Sequence, residues 1–284
     1  MAQTTTPPGD PAASRGTVNY IGRMAEMPYM YYRDPEPGQP YTNIIDEPHE
    51  VDIADLRSAP DSMTLARDML QFVRFDHAFD RFDDDAAVRA KYFPVVRDMF
   101  RELLGIDRVV VFDYAVRRPD HGPKRPQGIP VAGPQRRPIM RVHGDFIKES
   151  IRDLVTYMSD LCGPGALDGR YRAFNFWRPL RGPLTDRPLA FCHPSTVSQA
   201  DIVPMKQFNT PKDNHIFALR HNPDHRWFYF SRMMENEGVV FSSYDSNYPE
   251  SRGVVAHSAF VHPAHTVADL PRDSIEVRVL VFGE

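Results

Sequence analysis

The residues best suited to chemistry in this chain are His143 and Asp145, two positions apart at the end of the segment PIMRVHGD. In an extended strand, side chains two positions apart point to the same face, so this imidazole and carboxylate would converge on one point. They would supply two of the three ligands of a 2-His-1-carboxylate facial triad, which binds Fe(II) and leaves open positions for oxygen and substrate. The tripeptide alone is a weak signal, because many such matches are solvated loop residues.

A facial triad needs a second histidine, and His257 is the best placed of the 11 histidines in the chain. It lies in the segment VVAHSAF, near the end of a predicted strand and close to the C-terminus. His225, at a turn before an aromatic strand, is the main alternative, and His215 at the start of another strand is a weaker one. The sequence therefore favours His257 and leaves His225 open.

Several arginines could hold the carboxylate of a co-substrate. Arg272 and Ser274 lie at the start of the last predicted strand, and a guanidinium forms bidentate, charge-assisted bonds to a carboxylate. Arg278 shares their face of that strand and is an equally acceptable clamp. Arg178, in the motif FWRPL, is a further candidate for the same role. Alternatively, it forms a salt bridge at the end of its strand.

Three further side chains are weaker candidates for contact with a substrate. Trp177 and Tyr229 are large aromatic residues in predicted strands, and such residues belong to the hydrophobic core more often than to a substrate platform. His225 is the third, although a structural hydrogen bond is its more common role.

The composition excludes several classes of protein. The chain has 284 residues, 42% of them hydrophobic, and a net charge of −4, so it can form a core but offers no basic surface for nucleic acid. No segment approaches the roughly 18 consecutive apolar residues of a membrane span. Two cysteines, Cys162 and Cys192, are too few for a disulfide framework, and a reducing cytoplasm is the expected location. Residues 1–16 are expected to form a disordered tail.

Periodicity predicts a mixture of helices and strands up to Gly163 and almost only strands after it. Helical patterns cover 62–79, 84–104 and 147–161, and Gly163 ends the last of them. A loop at 117–137, rich in proline, glycine and arginine, could act as a lid. Strands are predicted at 17–30, 50–56, 108–116, 173–178, 188–192, 215–220, 226–230, 238–244, 254–257 and 274–282. This order indicates one α+β domain over 17–284, built on an antiparallel sandwich or barrel with flanking N-terminal helices.

The ordered motifs resemble the double-stranded β-helix (jelly-roll, cupin-like) oxygenases, and more narrowly the CmcJ/NvfI-type family. The resemblance covers roughly residues 17 to 282, and the set of motifs is far more specific than any one of them. The motifs are VFDYAVRR at 111–118, FWRPL at 176–180, HRWFYF at 225–230, YDS at 244–246, AHSAF at 256–260 and PRDSIEVR at 271–278.

The resemblance implies that His143, Asp145 and His257 bind Fe(II), and that 2-oxoglutarate and O2 take the remaining positions. It implies oxidation of a small molecule, in specialised metabolism, with decarboxylation of 2-oxoglutarate to succinate. Two other classes remain open: a divalent-metal hydrolase with the same ligands, and a non-catalytic cupin-like accessory protein. The arginine clamp argues against the first and the intact triad against the second. The sequence leaves room for a homodimer.

Overall fold

The computed structural model describes residues 13–118, 135–136, 138–208, 213–266 and 269–283. The first strand begins at Ala13, so residues 13–16, which were assigned to the tail, belong to a sheet. Most of the predicted lid at 117–137 lies outside the described residues.

The described part of the chain contains fifteen strands, six α-helices and one π-helical turn. The strands are β1 (Ala13–Ile21), β2 (Tyr29–Tyr31), β3 (Asp46–Asp55), β4 (Leu70–Arg74), β5 (Val109–Arg117), β6 (Gln135–Arg136), β7 (His143–Gly144), β8 (Tyr171–Pro179), β9 (Leu189–Cys192), β10 (Ile202–Phe208), β11 (Asn214–Leu219), β12 (Trp227–Tyr229), β13 (Glu237–Asp245), β14 (His257–Ala259) and β15 (Ser274–Phe282). The helices are α1 (Leu65–Asp68), α2 (Asp85–Ala87), α3 (Phe93–Leu104), α4 (Lys148–Tyr157), α5 (Ser159–Cys162) and α6 (Glu250–Gly253), with the π turn at Val88–Tyr92.

The strands form two mostly antiparallel sheets. The large sheet has nine strands in the order β1-β3-β12-β9-β14-β7-β11-β10-β2, and the small sheet has six in the order β4-β13-β8-β15-β5-β6. The large sheet curls back on itself, because Asn19 of β1 bridges to Arg141 just before β7 and accepts a hydrogen bond from the Val142 amide. The N-terminal strand therefore closes one side of the fold next to the segment that carries His143.

The side chains of β15 alternate between the outer and the inner face of the small sheet. Ile275, Val277, Val279 and Val281 face outward and pack with buried residues of α3 and the preceding π turn. The alternate residues of the same strand face inward, toward the large sheet. Gly105 ends α3 with a positive φ of 66°, as the C-terminal position of a helix often requires.

A second cluster fills the space between the sheets. Phe191 and Phe228 of the large sheet pack there with Trp177, Val239 and Phe241 of the small sheet. Two facing sheets with helices on the outer face of one of them are an α+β arrangement of the jelly-roll type, and the predicted fold class is confirmed. Among the described residues, no helix has both the length and the apolar character that crossing a bilayer requires.

The predicted helix over 62–79 is wrong. Only α1 is helical there, because Met69 adopts a left-handed φ of 59° and the chain then enters β4. Leu70 and Phe72 alternate into the inter-sheet cluster, and β4 pairs with β13 about 170 residues later. Strand β10 was not predicted, and the strand expected at 254–257 begins instead at His257, after α6. The helices predicted at 84–104 and 147–161 are confirmed in place.

Candidate metal centre

His143 and His257 lie opposite each other on neighbouring strands of the large sheet. In the register of β7 and β14, His257 is the partner of His143. Their ring centroids are 4.4 Å apart, and the His257 ring also contacts Phe241 of the small sheet, 4.8 Å away. Both imidazoles therefore face the space between the two sheets.

Gly144, between the two ligands on β7, cannot be replaced without a clash. A Cβ atom built on this residue would lie 2.2 Å from Cζ of Phe217 and 2.9 Å from Cγ1 of Val254. Because Phe217 is its partner on β11, this contact fixes how closely the strands approach. The glycine thus allows the strand carrying His143 and Asp145 to pack tightly against the core.

The predicted triad is assembled in the structure. One ligand atom each from His143, Asp145 and His257 lies within 4.8 Å of the other two, and all three residues are buried. Nε2 of His143 is 3.8 Å from Oδ1 of Asp145. Two imidazole nitrogens and one carboxylate oxygen at such distances are the donor set of a 2-His-1-carboxylate centre for a divalent metal such as Fe(II).

Backbone carbonyls hold the two imidazoles in the tautomer that a metal requires. Nδ1 of His143 donates to the carbonyl of Arg141 at 2.8 Å, and Nδ1 of His257 donates to that of Val255 at 3.1 Å. Each Nε2 then carries the lone pair. Nε2 of His257 is buried and has no hydrogen-bond partner among the described residues, as expected of a position meant for a metal. Burial, with the charge of His257, lowers the pKa of His143 to about 4, so this ring is neutral at pH 7.

Residues of the small sheet orient the third ligand. The Asn175 amide on β8 donates a hydrogen bond to Oδ2 of Asp145. The other carboxylate oxygen, Oδ1, therefore faces His143. Burial alone would raise the pKa of Asp145, but the Arg278 guanidinium and this hydrogen bond hold it below its usual range. The carboxylate is therefore charged and oriented before any metal binds.

The inward face of β15 continues from this site as a row of buried polar residues. Arg272, two residues before the start of β15, donates from Nε to Oγ of Ser274 at 2.8 Å and from Nη1 to the carbonyl of Arg187 at 2.9 Å. Burial and the nearby charge of Arg117 lower the pKa of Arg272 to about 9. In the described part of the chain, no carboxylate lies within ion-pair distance of its guanidinium. Arg272 is thus a buried cation that a bound anion would neutralise.

Arg278, the other clamp candidate on this strand, is already paired. Its Nη2 donates to Glu276 at 2.5 Å and its Nη1 to Asp113 at 2.8 Å. Glu276 also lies 3.5 Å from Arg117. Because its charge is compensated within the protein, Arg278 is less suited than Arg272 to bind a co-substrate.

The structure corrects the assignment of Arg178. It is adjacent to Trp177 on β8 and therefore points to the opposite, helix-covered face of the small sheet. There it donates to the hydroxyl of Tyr92 at 2.8 Å and to the carbonyl of Glu235, and it lies 5.5 Å from the ring of Phe82. Arg178 is not part of the metal centre.

His225 and Tyr229 are also placed away from the metal centre. The two ring nitrogens of His225 bond to the Tyr20 hydroxyl at 3.1 Å and to Asp201 at 3.2 Å, so neither is left for a metal. Tyr229 packs in the cluster that the curled large sheet encloses, on the other face from the metal ligands. Trp177, in contrast, faces the space between the sheets, on the same side as the triad.

The comparisons with known proteins agree with this donor set. A family described as an oxidoreductase/YMDC permease-like domain matches residues 18–282. The Fe(II)/2-oxoglutarate-dependent dioxygenase nvfI of Aspergillus novofumigatus (strain IBT 16806) is 34% identical over 268 residues, which are 89% of this chain and 91% of the relative. The chain belongs to the NvfI-type family of Fe(II)/2-oxoglutarate-dependent dioxygenases.

Further relatives support the same family. The hydroxylase/desaturase poxK of Penicillium oxalicum (strain 114-2 / CGMCC 5302) is 30% identical, over 100% of this chain and 95% of the relative. The solved structure of the iron and alpha-ketoglutarate-dependent endoperoxidase NvfI superposes with a TM-score of 0.79 at 31% identity, covering 95% of this chain and 98% of that one. Membership in the NvfI-type family confirms the predicted enzyme class and the cofactor set of Fe(II), 2-oxoglutarate and O2.

Sequence reasoning missed two residues that organise this NvfI-type site. Asn175, the hydrogen-bond partner of Asp145, is the single uncharged polar residue in the run AFNFW, and its position two residues before Trp177 was the available signal. Arg117 was assigned to the start of a loop, although it is the last residue of β5 and pairs with Glu276 on the neighbouring strand β15. The alternation Ser274, Glu276 and Arg278 was visible, but the role of Glu276 as their counter-ion was not.

Proposed function

We propose that this chain is an Fe(II)/2-oxoglutarate-dependent oxygenase that oxidises a C–H bond of a small molecule in secondary metabolism. The observation that carries the proposal is the buried set of two imidazoles, of which His143 is neutral at pH 7, and one charged carboxylate, with a buried Nε2 on His257 that lacks a partner among the described residues. Such a set fits a divalent metal better than any role in the core.

His143, Asp145 and His257 would hold the iron through two nitrogens and one oxygen. Bound there together, iron and 2-oxoglutarate supply the oxidising chemistry, with O2 as the oxidant. The protein's own contribution is to keep the ligands in position and to exclude bulk water, since each ligand is buried between the sheets. The backbone bonds to the two Nδ1 atoms prevent either ring from turning away.

Arg272 and Ser274 would bind the far carboxylate of 2-oxoglutarate. The guanidinium is buried, its pKa is lowered by that burial, and two of its nitrogens are fixed by Ser274 and the carbonyl of Arg187. A carboxylate bonded to this fork would compensate a buried charge that the described residues leave uncompensated.

The oxidative outcome is left open between hydroxylation, desaturation, ring formation and peroxidation, and the names of the relatives span several of these. One relative is an endoperoxidase and another a hydroxylase/desaturase. The cytoplasmic location and the homodimer stay predictions, to be checked by cell fractionation and by size-exclusion chromatography with light scattering.

An anaerobic titration tests the proposal. Adding Fe(II) and then 2-oxoglutarate to the metal-free protein should produce a weak visible absorption band, as expected when 2-oxoglutarate chelates iron at such a site. His257→Ala should abolish the band and His225→Ala should retain it. No band and no succinate formed in the presence of O2 and small-molecule extracts would exclude this function.

A further inference from the structure

The chain contains two tryptophans, and their indole N–H groups have different environments. Nε1 of Trp227 donates to the hydroxyl of Tyr20 at 2.8 Å within the cluster enclosed by the large sheet. Nε1 of Trp177 is buried and has no hydrogen-bond partner among the described residues. Both side chains are almost fully buried, at 2% and 1% relative exposure, so exposure to solvent does not explain the difference.

An unsatisfied buried donor is unfavourable, and native proteins rarely keep one without a reason. Leaving such a group without a partner forfeits the hydrogen bond that water would supply and destabilises the protein. The indole of Trp177 could have faced the helices, where its neighbour Arg178 finds the hydroxyl of Tyr92. It instead faces the space between the sheets, where the metal ligands are.

The surroundings of Trp177 identify what kind of ligand would satisfy it. The guanidinium carbon of Arg272 lies 5.1 Å from the centre of the indole ring, and Arg272 is the buried cation without an anionic partner among the described residues. On the neighbouring strand, Glu276 is the register partner of Trp177, and Ser274, which bonds Arg272, lies two residues before it. The unpaired N–H therefore lies beside a guanidinium and a hydroxyl.

We propose that the indole N–H of Trp177 donates a hydrogen bond to the 2-oxoglutarate carboxylate that Arg272 binds. This inference rests on the proposed function and adds a residue to its co-substrate site. A carboxylate offers about four lone-pair positions, enough for the guanidinium, the hydroxyl and the indole together. The N–H bond would be made only in the loaded protein, so that co-substrate binding satisfies a donor that the empty site leaves unpaired.

Matched tryptophan variants test this inference. Trp177→Phe and Trp227→Phe remove the same atoms from two buried sites, but only Trp227→Phe breaks an existing hydrogen bond. In the absence of 2-oxoglutarate, Trp177→Phe should lower the Tm less than Trp227→Phe does. Trp177→Phe should also raise the KM for 2-oxoglutarate about 10- to 100-fold, the effect of one lost hydrogen bond to a charged group. Iron content should equal that of the unsubstituted enzyme, and Trp227→Phe should leave this KM unchanged.

Three results would overturn the inference. They are an unchanged KM for 2-oxoglutarate in Trp177→Phe, an equal rise in both variants, and a change confined to the KM of the primary substrate. Fluorescence gives an independent reading, because Trp227→Phe leaves Trp177 as the single tryptophan, and its emission should change when 2-oxoglutarate binds the metal-loaded protein. If the unsubstituted protein binds no 2-oxoglutarate, the proposed function fails as well. Binding by the unsubstituted protein with no effect of Trp177→Phe overturns only the role of Trp177.

Discussion

The carboxylate of Glu276 accepts a hydrogen bond at 2.5 Å from the guanidinium of Arg278, whose charge also acts on the Asp145 carboxylate of the candidate metal centre. Arg117 approaches the same Glu276 oxygen at 3.5 Å. Glu276 therefore neutralises part of the positive charge that lies near Asp145. Asp145, the candidate metal ligand, is charged, while the nearby Arg278 pairs with Glu276 and Asp113.

We expect Glu276→Gln to lower the affinity for Fe(II) by about tenfold or more, because uncompensated positive charge would then lie next to the site. The affinity for 2-oxoglutarate, a dianion, should not fall in parallel. The double variant Glu276→Gln/Arg278→Gln removes one charge of each sign and should recover most of the metal affinity. Anaerobic iron titration measures both variants, and a parallel loss of iron and 2-oxoglutarate binding would indicate general damage to the fold instead.

Each of the variants His143→Ala, Asp145→Ala and His257→Ala should fold but lose iron and activity, since two remaining ligands hold a divalent metal far more weakly. His225→Ala is the matched control. It removes bonds to Tyr20 and Asp201, so it should lower the Tm while keeping the iron content. Metal analysis after gel filtration distinguishes variants that lose iron from the control variant, which should retain it. Loss of iron in His225→Ala with normal iron in His257→Ala would move the distal ligand to residue 225.

Arg272→Gln should raise the KM for 2-oxoglutarate by about 30-fold or more, equivalent to about 2 kcal/mol for a lost charge-assisted bond, with iron content unchanged. Its Tm without co-substrate should change little, because the variant also removes a buried charge. Arg178→Gln should show the reverse pattern. It loses bonds on the helix-covered face, so the Tm should fall and the KM should stay the same. If Arg272→Gln and Arg178→Gln had the same KM for 2-oxoglutarate, the residue that binds the far carboxylate would be neither of these arginines.

Glu237 is expected to contribute to stability in a pH-dependent way. Burial would raise its pKa, but two bonds from Arg57, at 2.6 and 3.0 Å, and one from the Met234 amide lower it below the ordinary value of 4.5. A lowered pKa in the folded state stabilises the protein above about pH 4.5, and this contribution is lost as the pH falls through the folded value.

Glu237→Gln should therefore lose about 1 to 3 kcal/mol of unfolding free energy at pH 7. The difference from the unsubstituted protein should shrink as the pH drops from 5 toward 3. Urea unfolding at several pH values measures it. Glu50→Gln, which removes one partner of an exposed pair with Arg15 at 3.9 Å, should have little effect at any pH. A pH-independent difference for Glu237→Gln would contradict this explanation.

The clustering of His143, Asp145 and His257 could be predicted from the sequence because part of its geometry is local. The two-residue spacing of His143 and Asp145 fixes their common face, and the strand around His257 brings the third ligand. The assignment of Arg178 failed for a physical reason: all nine residues of β8 are buried, so neither burial nor hydrophobicity shows which face of that strand is inside. The helix predicted at 62–79 failed because pairing of β4 with the distant β13 overrides a loose helical periodicity.

The pairing of His143 with His257 across two hydrogen-bonded strands has a consequence for how the enzyme acquires its metal. In small zinc-binding domains the ligands meet only when the ion gathers them, and removal of the ion unfolds the chain. Here the ligands are held by a continuous sheet, and their Nδ1 atoms by its carbonyls, so the apoprotein is already folded around an organised site. We therefore expect that a chelator can withdraw iron and that added Fe(II) can restore it without a folding step, so that metal uptake is a simple association between an ion and a rigid receptor.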